Sequence, residues 1–148
     1  MFKVIKNIFL NPLFPSACLA CNKYLAKKEK YKLVCTNCFL SVPLYNSLFC
    51  PICLHRLNPN QPCHRQALYD LASACHYNNP TLQKIIWQFK YQNWLTASEP
   101  LSDLLMSYWH SLKLGKDFLV MPVPLYPHRE MKRGFNQAAV LANILSRT

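Results

Sequence analysis

Seven cysteines in the first half of this chain have the residue type and spacing to hold metal ions. Cys18, Cys21, Cys35 and Cys38 form two Cys-x2-Cys pairs separated by thirteen residues. Each pair puts two sulfurs on one side of a tight turn. Two such turns facing each other present four thiolates at the corners of a tetrahedron, the arrangement zinc prefers. Four protein thiolates leave no open coordination position, so the expected role is structural, not catalytic. A second set follows at Cys50, Cys53 and Cys63. Its fourth cysteine is expected three residues after Cys63, but Gln66 stands there, and a neutral carboxamide is a poor zinc ligand. His64, His55 and Cys75 are the candidates for the missing position, with Cys75 favoured as a core residue instead. One structural zinc site is expected, with a second left open.

Eight cysteines in 148 residues also raise the alternatives of a disulfide framework or a redox dithiol. The opening stretch MFKVIKNIFLNPLFP has Lys3, Lys6 and Asn7 among its apolar residues. It therefore lacks the unbroken apolar core and small-residue cleavage site of a signal peptide. No apolar run approaches membrane-spanning length, so no stable membrane insertion is expected. A reducing cytoplasm is the expected setting, and there clustered cysteines are more often metal ligands than disulfides.

The composition, 51% apolar and 13% aromatic, is that of a folded chain. Its only glycines are Gly115 and Gly134, which excludes a glycine-rich phosphate cradle. The net charge of +11 is unevenly spread: residues 1–66 carry nine Lys/Arg against the single acid Glu29, and residues 67–148 carry eight against five acids. A basic, cysteine-rich half offsets thiolate charge and attracts phosphate backbones. A solvated lysine-rich face is the plainer alternative.

The elements that must position these residues are read from periodicity. Phe2, Ile5 and Phe9 suggest a short amphipathic helix over 1–10, ended by Pro12 and Pro15. Lys27 to Lys30 resemble a hairpin tip between the first two cysteine pairs. A ribbon this small buries too little apolar area to fold alone, so metal is the expected staple. Leu71, Ser73, Cys75 and Tyr77 alternate as in a strand. Asn79-Pro80 caps a helix with Leu82, Ile85, Ile86 and Phe89 on its inner face, running to about Tyr91. A second helix begins near Ser98-Glu99-Pro100, faces inward with Leu101, Leu104, Leu105, Tyr108 and Leu112, and stops at Gly115. Phe118–Met121 reads as a buried strand closed by Pro122 and Pro124. Asn136 caps a third helix with Ala138, Leu141, Ala142 and Leu145 inward. Strand, helix, helix, strand, loop, helix is the opening of an α/β sheet, with most of the sheet still to come.

The segment from Pro122 to Gln137 runs from that strand to that helix. Ligands of open α/β sheets sit at such places. Arg129, Lys132 and Arg133 could meet an anion there, with amides of the following helix helping and Gly134 allowing close backbone approach. A solvated basic loop is the alternative.

PVPLYPHREMKRGFNQAAVLA resembles the PVPLHPxRxxxRGFNQAxxLA signature of the ComF family, bacterial competence proteins described as double zinc ribbon, phosphoribosyltransferase-like proteins. FPSACLACNKYL, VCTNCFLSVP and CPICLHRL resemble that family's paired zinc knuckles. HYNNPTLQKIIWQFKYQNW resembles its YxxPxxxLIxxxKY segment, with Lys90 and Tyr91 at the KY position. The resemblance spans essentially the whole chain in order. It implies a double zinc ribbon with a short N-terminal helix over 1–66. Residues 67–148 would be the N-terminal part of a type I phosphoribosyltransferase-like α/β domain. It implies an anion-binding set of Arg129, Lys132, Arg133, Gly134, Asn136, Gln137 and Lys90. It further implies a cytoplasmic role in internalising single-stranded DNA during natural transformation, with a competence helicase as partner. The family's diphosphate loop, with two adjacent acids before Thr-Thr-Gly, has no counterpart, because no two acids are adjacent in this chain. Binding rather than catalysis is expected, from what looks like the N-terminal part of a longer protein. A phosphoribosyltransferase using phosphoribosyl diphosphate, if a C-terminal part exists, and a non-functional remnant are the alternatives.

Overall fold

The computed structural model describes residues 17–57, 63–64, 66–113 and 118–147. Among them the regular structure is helical. The α-helices are α1 (Thr36–Leu40), α2 (Pro80–Tyr91), α3 (Ser98–Ser111), α4 (Pro127–Arg133) and α5 (Gln137–Leu145), with a 3₁₀ turn at Leu95–Ala97 leading into α3. The amphipathic stretch expected over 1–10 and the Gly115 stop lie outside the described residues.

α2 begins where the local signals place it. The Asn79 side chain accepts a hydrogen bond from the amide of Leu82, and Pro80, which has no N–H to lose, occupies the first turn. Of the expected stripe, Leu82, Ile85 and Phe89 are buried, joined by Thr81, while Ile86 is only partly buried against the same cluster. α3 buries Leu101, Leu104 and Tyr108 and packs on both α2 and α5. α5 is capped by Asn136, whose side chain accepts from the amides of Ala138 and Ala139. The polar loop expected before it contains α4, which starts at Pro127 and ends at Gly134 in the left-handed conformation, φ 74°. Glycine takes that conformation without a Cβ penalty.

The β component differs from the sequence expectation. The described residues contain only four isolated antiparallel bridges, Ala17–Tyr24, Phe49–Arg56, Phe49–Leu71 and Leu44–Cys75. Leu71–Cys75 does run against Leu44–Phe49, with Tyr45 donating to the carbonyl of Ala74 and Phe49 and Leu71 exchanging both bonds. The span from Leu44 to Phe49 is one residue longer than that from Leu71 to Cys75. A bulge therefore interrupts the ladder, and the expected strand over 71–77 shrinks to two bridged positions. Phe118–Met121 is not a buried strand: it is irregular, and Leu119 and Met121 are 88% and 78% exposed. An apolar run becomes a strand only when neighbouring strands satisfy its backbone, and none of the described residues lies beside it in a ladder.

One hydrophobic cluster joins the cysteine-rich segment to the helices. Cys18, Tyr31, Leu33, Val34 and Val42 pack with Leu82, Ile85, Phe89, Ala97, Leu101 and Leu104. The small ribbon thus has an apolar floor as well as its sulfurs. Tyr108 adds a polar stitch, donating to the carbonyl of Ser47 and accepting from the amide of Ser73. Facing α2, α3 and α5, beside Ser73–Tyr77, an apolar groove of about 430 Å³ remains, with Leu82, Ile86, Phe89, Leu104 and Leu141 on its walls.

Candidate metal centres

The two knuckles that open each cysteine set repeat one backbone design. The amide of Cys18 donates to the carbonyl of Lys23 and the amide of Asn22 donates back to Cys18. Thirty-two residues on, the amide of Cys50 donates to the carbonyl of His55 and that of Leu54 donates to Cys50. Asn22 and Leu54 both sit at φ 60°, and the bridges Ala17–Tyr24 and Phe49–Arg56 close both turns at the same offset. This geometry leaves the two sulfurs of Cys-x2-Cys on one side. Asparagine tolerates the left-handed conformation; leucine is strained in it.

The other half of the first centre is built differently. Cys35 is the N-cap of α1 and Cys38 lies within its first turn. The Glu29 carboxylate accepts from both the amide and the hydroxyl of Thr36, tying the Lys27–Lys28 turn to the start of α1. The sulfurs of Cys18, Cys21, Cys35 and Cys38 all lie within 4.8 Å of one another, with Cys21 and Cys35 3.9 Å apart. A tetrahedral ion with arms of about 2.3 Å to sulfur holds its ligands about 3.8 Å apart.

In the second centre the ligand atoms of Cys50, Cys53, Cys63 and His64 meet within the same 4.8 Å limit. His64 Nδ1 is 3.4 Å from the sulfur of Cys50 and 3.3 Å from that of Cys63, and Cys53 and Cys63 are 3.3 Å apart. Of the three candidates for the open position, His64 is the one brought to the sulfurs. Cys75 instead packs against the hydrophobic cluster. All eight cysteines are free thiols, and both groups could hold a metal ion, with donor sets that fit zinc.

The electrostatics of both groups point the same way. Burial raises the Cys18 thiol, but hydrogen bonds from the amides of Cys21, Cys35 and Ala20 outweigh it and bring the thiol down to about 6. Partial desolvation, then hydrogen bonds with the sulfurs of Cys35, Cys21 and Cys18, push Cys38 up to about 12. In the second group the Cys53 amide leads in lowering Cys50 to about 6, against burial and with help from the Ile52 amide and His64. The sulfur of Cys53, then burial, push Cys63 up to about 11. Crowded thiols ionise in turn because each thiolate penalises the next, and a divalent cation removes that penalty.

The residues expected to bind an anion separate into two groups. Lys90, Arg129, Lys132 and Arg133 line one cleft of about 230 Å³ together with Tyr91 and Asn93. Asn136 and Gln137 are turned elsewhere. Asn136 spends its carbonyl oxygen on the α5 cap, and Gln137 is buried beside the apolar groove, its Oε1 accepting from Arg133. Gly134 ends α4, and a Cβ there would meet nothing within 4 Å, so its backbone supports no close approach among the described residues. Trp87 was not singled out by the sequence pattern. Its available signal was its place four residues before Tyr91, which puts both rings on one helix face.

Paired cysteine-rich knuckles able to hold metal, docked on a small helical body, define the class of protein. No protein-family model matches the chain, and no solved structure matches it. Competence protein F of Haemophilus influenzae is 40% identical over 78 residues, covering 49% of this chain and 33% of the relative. Competence protein ComFC of Bacillus subtilis is 23% identical over 149 residues, covering 88% of this chain and 62% of the relative. The chain thus spans between a third and two thirds of the length of these relatives. With the signature residues quoted above, these matches support a ComF family assignment. No described helix is long and apolar enough to cross a membrane.

Proposed function

We propose that this chain is a zinc-stabilised competence protein that handles single-stranded DNA during its internalisation, acting by binding. The observation that carries this is the 40% identity to Competence protein F over 78 residues. The two four-ligand groups support zinc as the metal, because thiolate and imidazole donors at tetrahedral spacing suit it. Residues 1–66 are then a double zinc ribbon, and residues 67–148 the N-terminal part of a phosphoribosyltransferase-like domain. A cytoplasmic location and a competence helicase as partner complete the proposal.

Transfer chemistry on phosphoribosyl diphosphate calls for a pair of acids on the ribose hydroxyls. The six acids, Glu29, Asp70, Glu99, Asp103, Asp117 and Glu130, include no adjacent pair. Binding is the activity we propose for these residues.

The test combines metal analysis with DNA binding. Protein purified without added metal should carry two zinc ions per chain, and it should bind a fluorescent oligothymidylate with an affinity that falls steeply as salt rises. In the source organism, deletion of the gene should lower transformation frequency. Zinc-loaded protein that ignores the oligonucleotide at low salt, or a deletion strain that transforms normally, defeats the proposal.

A further inference from the structure

Two clefts on the outer face of α2 adjoin, one aromatic and one cationic. The first, of about 360 Å³, is walled by Tyr77, Trp87 and Tyr91 with Lys84 and Lys90. The second is the 230 Å³ cleft of Lys90, Arg129, Lys132 and Arg133. They share Lys90 and Tyr91. Tyr77, Trp87 and Tyr91 are 60%, 50% and 59% exposed, which is unusual for three large rings on one small face. The Trp87 and Tyr91 rings stand 6.2 Å apart, and the Arg133 guanidinium lies over Tyr91 at 5.6 Å.

The cations here are not neutralised. The one ion pair among the described residues joins Lys30 to Asp103, neither of which lines these clefts. Lys84 donates to the carbonyl of Ala20, and Arg133 donates to Gln137. Arg129, Lys132 and Arg133 stand at i, i+3 and i+4 on α4, so they share a face. Glu130, the acid of α4, is about 100° round the helix from Arg129.

We propose that this double cleft is the single-strand contact surface: unpaired bases stack on Trp87, Tyr91 and Tyr77 while the adjoining phosphates lie on Lys90, Arg129 and Lys132. Exposed rings beside unpaired cations match the two halves of a nucleotide, and every base offers a π-face, so the surface is sequence-tolerant. Duplex DNA hides its base faces and gains only the phosphate part. The inference rests on the DNA-handling function proposed above but moves the contact from the lysine-rich ribbon to α2 and α4.

Fluorescence anisotropy of the zinc-loaded full chain with a labelled oligothymidylate tests it. Trp87→Ala should weaken binding about tenfold with an unchanged salt slope, and should leave binding to a duplex unaffected. Lys132→Ala should lower the salt slope by about 0.7 for its lost phosphate. Lys27→Ala with Lys28→Ala, in the ribbon turn, should change neither stacking nor affinity beyond a uniform weakening under twofold. Zinc content and circular dichroism establish that each variant is folded, and exposed Lys132 gives a readout even if Trp87→Ala is not. Intact binding in both Trp87→Ala and Lys132→Ala, with loss in the Lys27/Lys28 variant, overturns this surface and leaves the DNA-handling function standing. Equal losses on duplex and single strand in Trp87→Ala also overturn it. No oligonucleotide binding by the unsubstituted protein overturns both.

Discussion

Removal of the Asp103 carboxylate should loosen the cysteine-rich segment from α3 by a calculable amount. Tyr31 is 3% exposed, and its hydroxyl donates to Asp103 Oδ2 at 2.5 Å. Lys30 pairs with the same oxygen. Burial, then the Asp103 bond, pushes Tyr31 up to about 12. Burial would raise Asp103, but the bonds from Lys30 and Tyr31 outweigh it and hold the carboxyl below its usual range. A hydrogen bond to a charged partner is worth about 1.5–3 kcal/mol. The Lys30 side chain is 67% exposed, so its ion pair adds under about 1 kcal/mol. Asp103→Ala should therefore cost about 2–3 kcal/mol, and Asp103→Asn, which keeps a neutral acceptor, about 1 kcal/mol. A double-mutant cycle with Tyr31→Phe, read by denaturant unfolding at fixed zinc, should return a coupling of about 1.5–2 kcal/mol that survives high salt. Because the folded carboxyl lies below its unfolded value, this stability is fully present above the unfolded pKa of about 3.9 and is lost as pH falls through the folded one. A coupling under about 0.5 kcal/mol, or one abolished by salt, refutes the claim that this contact joins the two parts.

Three further outcomes are expected. His64→Gln should lower zinc from two ions per chain to one, while Cys75→Ser leaves two; the reverse result, read by native mass spectrometry, removes His64 from the second centre. Leu54→Asn should stabilise the holoprotein by about 1 kcal/mol, since Leu54 holds φ 60° at a cost asparagine largely avoids; unchanged or lower stability would contradict the strain. Zinc binding near neutral pH should release protons from Cys38 and Cys63, held up at about 12 and about 11, and calorimetry in buffers of different ionisation enthalpy counts them. Affinity should fall further once pH drops below about 6, where Cys18 and Cys50 also protonate.

Much of the helical body and the first cysteine group could be read in the chain because their signals are local. Asn79-Pro80 starts α2 by a side-chain bond three residues long, and the stripe of Leu82, Ile85 and Phe89 is a 3.6-residue period. The α4 turn was missed because seven residues rich in charge carry no apolar stripe. Phe118–Met121 misled because an apolar run reports a wish for burial, not the partner that supplies it.

Cysteine spacing by itself determined that this protein carries paired cysteine knuckles able to hold metal, since Cys-x2-Cys fixes its own turn whatever surrounds it. Only the tertiary structure decided that His64 joins Cys50, Cys53 and Cys63. It also decided that the ribbon shares its core with α2 and α3, and that rings from α2 stand beside cations from α4. Those outcomes depend on contacts between residues far apart in the chain, including a one-residue bulge opposite Leu71–Cys75, and no local period encodes such distances.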